Sequence, residues 1–366
     1  MRFSRQVNIR MNGANFLESN LSRHHRHCST KLKEPMEFER VAESDLPEVS
    51  KFLCSIFGLT EATRNFNLEV LRWKYITPHP YWDGSRSYCI RQNGEMVAHG
   101  CVVPTPLLIK AQTATSCGVI DWAGSPTAVG AGALIYQSLF PSVDVFLAIG
   151  GSKKARKVIP KLGLNQLGEL EVFSRIVRPM KDFANRPTMD WRSGAHLARN
   201  TVRLLSGFRT SRLKGWAAQR VDQFDETLKP VFAENSEAVI FQHNPSFLNY
   251  LLACPAATME GYTFHSESSL KGYCLLSRYD NKCHIADLSA EELPNAYALA
   301  LQIAAGPSQV SEVIATASTI RAREALIAVG FSRRESIPVF ARDPQHLLTG
   351  CNSFNITSVE NDFFYL

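Results

Sequence analysis

The chain has 366 residues, 45% apolar and 20% charged, with a net charge of +6 from 40 Lys or Arg against 34 Asp or Glu. This composition excludes a disordered or fibrous chain and suits a globular protein of two domains. Nine cysteines, an odd number with no Cys-x-x-Cys pair, argue against a disulfide framework or a zinc ribbon and for a reducing, cytoplasmic setting.

Residues 1–35 hold seven Lys or Arg against Glu18 and Glu34 and show no apolar period. They read as a disordered basic extension. The His24-His25-Arg26-His27-Cys28 run is interrupted by Arg26 and has no second ligand group, so no metal is assigned there. The folded pattern starts at Met36. Phe38 to Val41 reads as a strand. Ser44-Asp45 caps a helix with apolar positions Leu46, Val49, Phe52, Leu53 and Phe57, stopped by Gly58. Leu68 to Tyr75 is a second helical piece, ended by Pro78-His79-Pro80. Ser87 to Val103 is a hairpin turning at Asn93-Gly94, and His99 within it reads as a packed histidine rather than a catalytic one.

Cys117 to Leu139 is the chemical centre of the first half. A short apolar run, Cys117-Gly118-Val119-Ile120, carries Asp121 and Trp122 and leads through Gly124-Ser125-Pro126 to Val129-Gly130-Ala131-Gly132-Ala133-Leu134. Ala131, Leu134, Ile135 and Leu139 recur at helical spacing. A strand, a glycine-containing turn and a helix start together make an anion site, because the N–H groups of the first helical turn lack partners and the dipole favours negative charge. The same small residues would also let a helix pack tightly on a strand, and both readings stand. The uncharged run from Trp122 to Val143 is long enough to span a bilayer, but Pro126, Gln137, Pro141 and its glycines argue against a transmembrane helix. A strand, Val143 to Ile149, a helix, Lys153 to Lys161, a turn at Gly163 and a strand, Glu171 to Val177, complete the half.

This order resembles the acyl-CoA-binding core of the GNAT acyltransferase superfamily over most of residues 36–179. The parts that carry it are Ile120-Asp121 through Pro126, Gly130 and Gly132, Ala148-Ile149, and the closing Lys161-Leu162-Gly163-Leu164 turn. The resemblance implies that Val129, Gly130, Ala131, Gly132, Ala133 and Leu134 hold the pyrophosphate of acetyl-CoA or another acyl-CoA. It also implies that Asp121 lies close to the cleft, either as the base for the acceptor or as a brace for the turn at Gly124-Ser125. Two places depart from the family pattern: where Arg or Gln is usual stands Val129, aligned on Pro126 and Gly132, or Thr127, if Gly130 and Gly132 are matched instead, and Ile159 stands where a tyrosine acid is frequent.

Between Arg175 and Arg220 lie eleven Lys or Arg and two Asp. Residues 180–230 read as a basic linker, in which His196 to Leu205 forms an amphipathic helix with Arg199 and Arg203 on it. It is either a solvated crossing or, over 192–220, a contact for an anionic membrane surface. No motif pairs aromatic with basic residues in the way nucleic-acid binding needs. Residues 231–345 then repeat the first half in order. Cys283-His284-Ile285-Ala286-Asp287-Leu288 echoes Cys117 to Trp122, but Glu291-Glu292 replaces the glycine pair and would repel a pyrophosphate. Residues 346–366 read as a tail.

The expectation is an α/β fold of the α+β type, a mixed sheet in two tandem GNAT-like lobes, the second degenerate. Its chemistry is transfer of an acyl group, acetyl in the first instance, from acyl-CoA to a small-molecule amine. That transfer needs a deprotonated amine and N–H donors for the oxyanion, and no metal. The alternatives are a non-catalytic scaffold that binds CoA or another ligand, and a tRNA-dependent aminoacyl transferase.

Overall fold

A computed structural model describes residues 35–60, 63–109, 112–184, 197–198, 201, 213–228 and 238–365. The extension with its histidine run lies outside the described residues, as do Arg199 and Arg203 of the basic stretch.

The first half runs β1 (Glu37–Arg40), α1 (Leu46–Phe57), α2 (Leu68–Tyr75), β2 (Ser87–Gln92), β3 (Glu95–Pro104), β4 (Leu107–Ile109), β5 (Gln112–Ala114), β6 (Ser116–Gly124), α3 (Ala131–Leu139), β7 (Val145–Ile149), α4 (Lys153–Val158), β8 (Asn165–Ile176) and α5 (Pro179–Ala184). The second runs β9 (Trp216–Val221), β10 (Ala238–Phe241), α6 (Pro245–Leu252), β11 (Thr258–Ser266), β12 (Ser269–Tyr279), β13 (Lys282–Ala290), α7 (Leu293–Ala305), β14 (Glu312–Ala317), α8 (Ile320–Ala328), β15 (Ser332–Arg342) and β16 (Ser353–Asn355).

Local chemistry sets these boundaries. Gly58 ends α1 in the left-handed conformation, φ 69°, where a Cβ would be strained. Asn67 caps α2 by accepting from the Val70 N–H at 2.8 Å. Asn93 and Gly94, both at positive φ, turn β2 into β3 in the two-residue geometry that matches strand twist. Arg86 is 1% exposed and donates to the carbonyls of Trp73, Lys74 and Thr77 and to the Tyr250 hydroxyl. One guanidinium thereby satisfies the C-terminal carbonyls of α2 and ties α2 to α6, where the Trp73 and Tyr250 rings stack 4.9 Å apart.

Twelve strands make one mixed sheet in the order β1-β2-β3-β6-β7-β15-β8-β14-β13-β12-β11-β9. Read inward from either edge, each half supplies its first five sheet strands and then accepts the last strand of the other. β15 pairs with β7 over Val339–Arg342, β8 pairs with β14 over Glu171–Ile176, and β8 and β15 pair with each other at the centre. A second sheet, β16-β10-β4-β5, shares a buried core with β7, β8 and β15. Among the described residues no helix is long and apolar enough to cross a membrane.

The two halves share one irregularity. β6 runs parallel to β7 only from Ser116 to Gly118 and then continues to Gly124 paired with β3 alone. β13 runs parallel to β14 only from Lys282 to Ile285 and then continues to Ala290. Each of these longer strands is also bulged, against β3 between His99 and Cys101 and against β12 between Leu275 and Leu276. A strand pair that parts leaves a fork with unpaired backbone groups on its inner edges.

Two segments differ from their sequence reading. Trp216–Val221, inside the stretch read as linker, pairs with β11, and Phe224 and Leu228 beyond it are buried. The stretch read as a tail supplies β16 and buries Val359, Phe364 and Tyr365 against Trp73, Phe247 and Tyr273. An ion cluster pins it. His243 holds Asp287 at 2.8 Å on Nδ1 and Glu360 at 2.5 Å on Nε2, and the Tyr273 hydroxyl donates to Asp287 at 2.8 Å. Burial opposes the imidazolium, but the two carboxylates outweigh it and hold the His243 pKa up at about 10.

Two outcomes follow. A protease site placed between residues 201 and 213, cut after folding, should leave the halves together on size exclusion and separable only in denaturant. Halves that part in native buffer would contradict the strand exchange. Because His243 is raised from about 6.5 to about 10, its contribution is complete below about pH 6.5 and lost as pH rises toward 10. Denaturant unfolding should show that loss in the wild type and not in His243→Gln, which should also cost about 3–5 kcal/mol at pH 6.

Candidate active site

At the fork of the first half, Asp121 occupies the β6 bulge with φ 50°, a left-handed conformation that few non-glycine residues adopt. The bulge turns its side chain inward, where it is 5% exposed. Lys74 Nζ lies 2.6 Å from its Oδ2, and the Tyr75 hydroxyl donates to the same oxygen at 2.7 Å. Burial opposes the Lys74 charge, yet Asp121 and Asp362 outweigh it and raise the lysine pKa. Burial first, then Asp121, raises Tyr75 well above the usual phenol range, so it remains a donor. The turn at Gly124-Ser125 does not engage Asp121: Ser125 Oγ is 2.7 Å from Thr127 Oγ1. Of the two readings of Asp121, a brace for that turn is therefore corrected to a partner of α2.

His99 is wholly buried. Its Nε2 is 2.7 Å from Ser87 Oγ and its Nδ1 3.0 Å from the Asp121 carbonyl oxygen. Burial pushes its pKa down to about 4, so it is neutral. The pair has the spacing of a nucleophile and its base, but no substrate reaches two side chains that are both unexposed; it is a packed histidine.

Beyond β6, the loop opens α3. Gly130 is the N-cap at φ 93° with open space where a Cβ would stand. Val129 is 89% exposed. The N–H groups of Ala131, Ala133 and Leu134 are taken by the carbonyls of Ala128 and Gly130. Those of Val129, Gly130 and Gly132 have no protein acceptor among the described residues. Gly132 has a packing reason as well: Trp122 Nε1 donates to its carbonyl at 2.8 Å, and a Cβ there would meet that nitrogen at 3.3 Å. The packing reading therefore applies to Gly132 and not to Gly130. Gly130 opens the helix end, and Gly132 seats Trp122.

The corresponding place in the second half is acidic. Glu292 is the N-cap residue of α7, makes no side-chain cap bond and receives Asn295 Nδ2 at 2.6 Å, and Glu291 pairs with Lys271 at 2.8 Å. Two carboxylates thus stand at the start of α7, where their charge opposes an anion.

Between α2, β3, α6 and the C-terminal segment lies a cavity of about 30 Å³, walled in part by Trp73, Lys74, Cys101, Tyr250, Phe364 and Tyr365, room for a water or two. Burial pushes the Cys101 thiol up to about 12, which removes it as a nucleophile. Sequence reasoning missed Lys74 and the C-terminal segment. The signals were a lysine among Leu71, Trp73 and Tyr75 on one helix, and the aromatic run Phe363-Phe364-Tyr365, which no solvated tail needs.

No family model matches the sequence, and no curated protein matches it. Solved structures do. A GCN5-related N-acetyltransferase from Anabaena variabilis superposes with a TM-score of 0.57 at 11% identity, over 84% of this chain and 73% of that one. A probable N-acyltransferase from Enterococcus faecalis gives 0.55 at 14%, over 87% and 74%. The Saccharomyces cerevisiae N-myristoyltransferase, solved with bound myristoyl-CoA, gives 0.57 at 11%, over 86% and 85%. At such identity the likeness is one of fold: the chain has the GNAT acyltransferase fold in its tandem, two-lobed form.

Proposed function

We propose that the protein transfers an acyl group from acyl-CoA to an amine at the fork of its first half. The observation that carries this reading is the fork itself, with three backbone donors, Val129, Gly130 and Gly132, just past the β6 end. An extended pantetheine arm can lie along the unpaired edge of β6 like an added strand. The pyrophosphate then reaches the α3 N-terminus, where free N–H groups and the dipole favour it. The thioester carbonyl comes to the bulge, where backbone N–H groups can stabilise an oxyanion. The amine attacks the carbonyl carbon, the C–N bond forms and the C–S bond breaks.

The second half serves as the acceptor side rather than a second donor site, because Glu291 and Glu292 oppose a pyrophosphate there. Acetyl is the acyl group in the leading form of this reading. A scaffold that binds acyl-CoA without turning it over is the second reading, favoured by Val129 where related folds carry Arg or Gln.

Calorimetry with acetyl-CoA and with myristoyl-CoA tests the binding step, and mass spectrometry of the purified protein tests for a CoA species carried along. One site per chain is expected. Val129→Asp, on an exposed side chain, should raise the acyl-CoA Kd about tenfold or more through like-charge repulsion and leave the melting temperature unchanged. Glu292→Gln should alter neither. Equal affinity in Val129→Asp, or no binding in the wild type, would remove the first half as the donor site.

A further inference from the structure

The cavity between α2, β3, α6 and the C-terminal segment presents donors. Asn361 is 5% exposed and walls it. The Asn361 Oδ1 accepts from the Phe363 N–H at 2.7 Å, whereas its buried Nδ2 has no hydrogen-bond partner among the described residues. A buried amide left in that state is costly unless a bound group takes its protons. Lys74 Nζ, on the opposite wall, meets Asp121 Oδ2 at 2.6 Å and no second acceptor among the described residues. His79 lines the same cavity and accepts from the Tyr81 N–H on Nδ1 at 3.2 Å. Burial pushes its pKa down to about 2, so its ring is neutral and carries its proton on Nε2. The Tyr250 hydroxyl is already used in both senses, accepting from Arg86 at 2.8 Å and donating to the Trp73 carbonyl at 3.1 Å. Asn361, Lys74 and His79 together offer N–H groups and no free acceptor, which suits an oxygen with lone pairs.

Charge narrows the class of that oxygen. The Lys74 charge is opposed by Asp121 and Asp362. Arg86, 1% exposed, holds only neutral groups, three carbonyls and one hydroxyl. Its charge bears on His79, Cys101 and Tyr250, all of which line the cavity. A buried cation without a counter-ion favours an anion beside it. Room for a water or two is also room for the two oxygens of one carboxylate. Ile120, the residue before the Asp121 bulge, lies in the cavity wall, so the cavity ends next to the place proposed for the thioester carbonyl.

Resting on the acyl-CoA reading above, we propose that this cavity is the carboxylate subsite for the acceptor, which makes the acceptor a small amino acid rather than a polyamine. The carboxylate takes the Asn361 Nδ2 protons in the field of Arg86, and the amine reaches from there to the bulge. The amine nitrogen bonds to the thioester carbon, the C–S bond breaks, and the products are an N-acyl amino acid, CoA thiol and one proton released to water.

The experiment pairs each carboxylate with a neutral twin. Thiol release from acetyl-CoA by the full chain is measured with glycine against methylamine and with β-alanine against ethylamine. In the wild type kcat/KM should favour the amino acid of each pair by about tenfold or more. Asn361→Asp keeps the oxygen that serves Phe363 and turns the donor into a charge of the ligand's own sign. It should bring both ratios close to one, chiefly through the KM of the amino acids, with acetyl-CoA Kd kept. A second measurement needs no variant and no turnover: propionate should bind the CoA-loaded wild type on calorimetry, and propionamide should bind at least tenfold more weakly. Ratios near one in the wild type, ratios unchanged in Asn361→Asp, or no heat with propionate would each overturn the subsite while leaving acyl transfer intact, and the cavity would then hold water only. A wild type that binds no acetyl-CoA overturns the acyl-CoA reading and the acceptor built on it.

Discussion

The exchange of β8 and β15 is the constraint on which the rest depends. Each fork opens because a short parallel strand, β7 or β14, is gripped on its far side by a strand from the other half. β7 shares three residues of ladder with β6 but four with β15, so its direction is set by the second half. Parallel strands in one unbroken sheet would keep pairing to their ends and leave no room between them. The exchange also makes the halves energetically inseparable, since neither can complete its own sheet edge, and an unpaired central edge is costly and prone to aggregate.

A symmetric topology then carries two different polar centres. Asp121 and Asp287 stand in the strands that are bulged in each half, yet one meets Lys74 and the other His243. The His243 cluster is closed: both ring nitrogens and both carboxylates have partners, and Tyr273 takes the Asp287 oxygen. It fastens the C-terminal segment. The Lys74 cluster is open in the sense that matters chemically, with two aspartates for one lysine and a cavity alongside. At the helix starts the asymmetry is the same. Free N–H groups sit at Val129, Gly130 and Gly132, and glutamates at the start of α7.

The repeat, the fold class and the glycine-opened start of α3 were legible because they rest on local chemistry: glycine where the backbone is left-handed, and apolar spacing that switches from strand to helix. The Asp121–Lys74 pair was not, because the partners are 47 positions apart and meet only when a bulge turns Asp121 inward. β9 hid for another reason. Trp216-Ala217-Ala218-Gln219-Arg220-Val221 is an outermost strand, and such strands carry the weak alternation and the charges that discourage further pairing. The segment from Ser358 to Tyr365 was read by its position rather than its composition, and position says nothing about burial.

Stability alone does not account for the charges at the first fork. Removing a lysine and a carboxylate from water costs several kcal/mol each, and a well-packed apolar pair of similar volume is commonly as stable or more so. The surroundings offer such packing in quantity: Trp73, Ile120, Phe364 and Tyr365 line the adjoining cavity. The second half shows that this sheet can finish such a position as a closed staple. At the first fork Lys74 is instead shared by two carboxylates, Asp121 and Asp362, beside a cavity that Arg86 also lines. In a low dielectric such an imbalance lifts a carboxyl toward neutrality, and it does so at Asp362. The imbalance stands beside the first fork, whereas the polar centre of the second half is a closed staple.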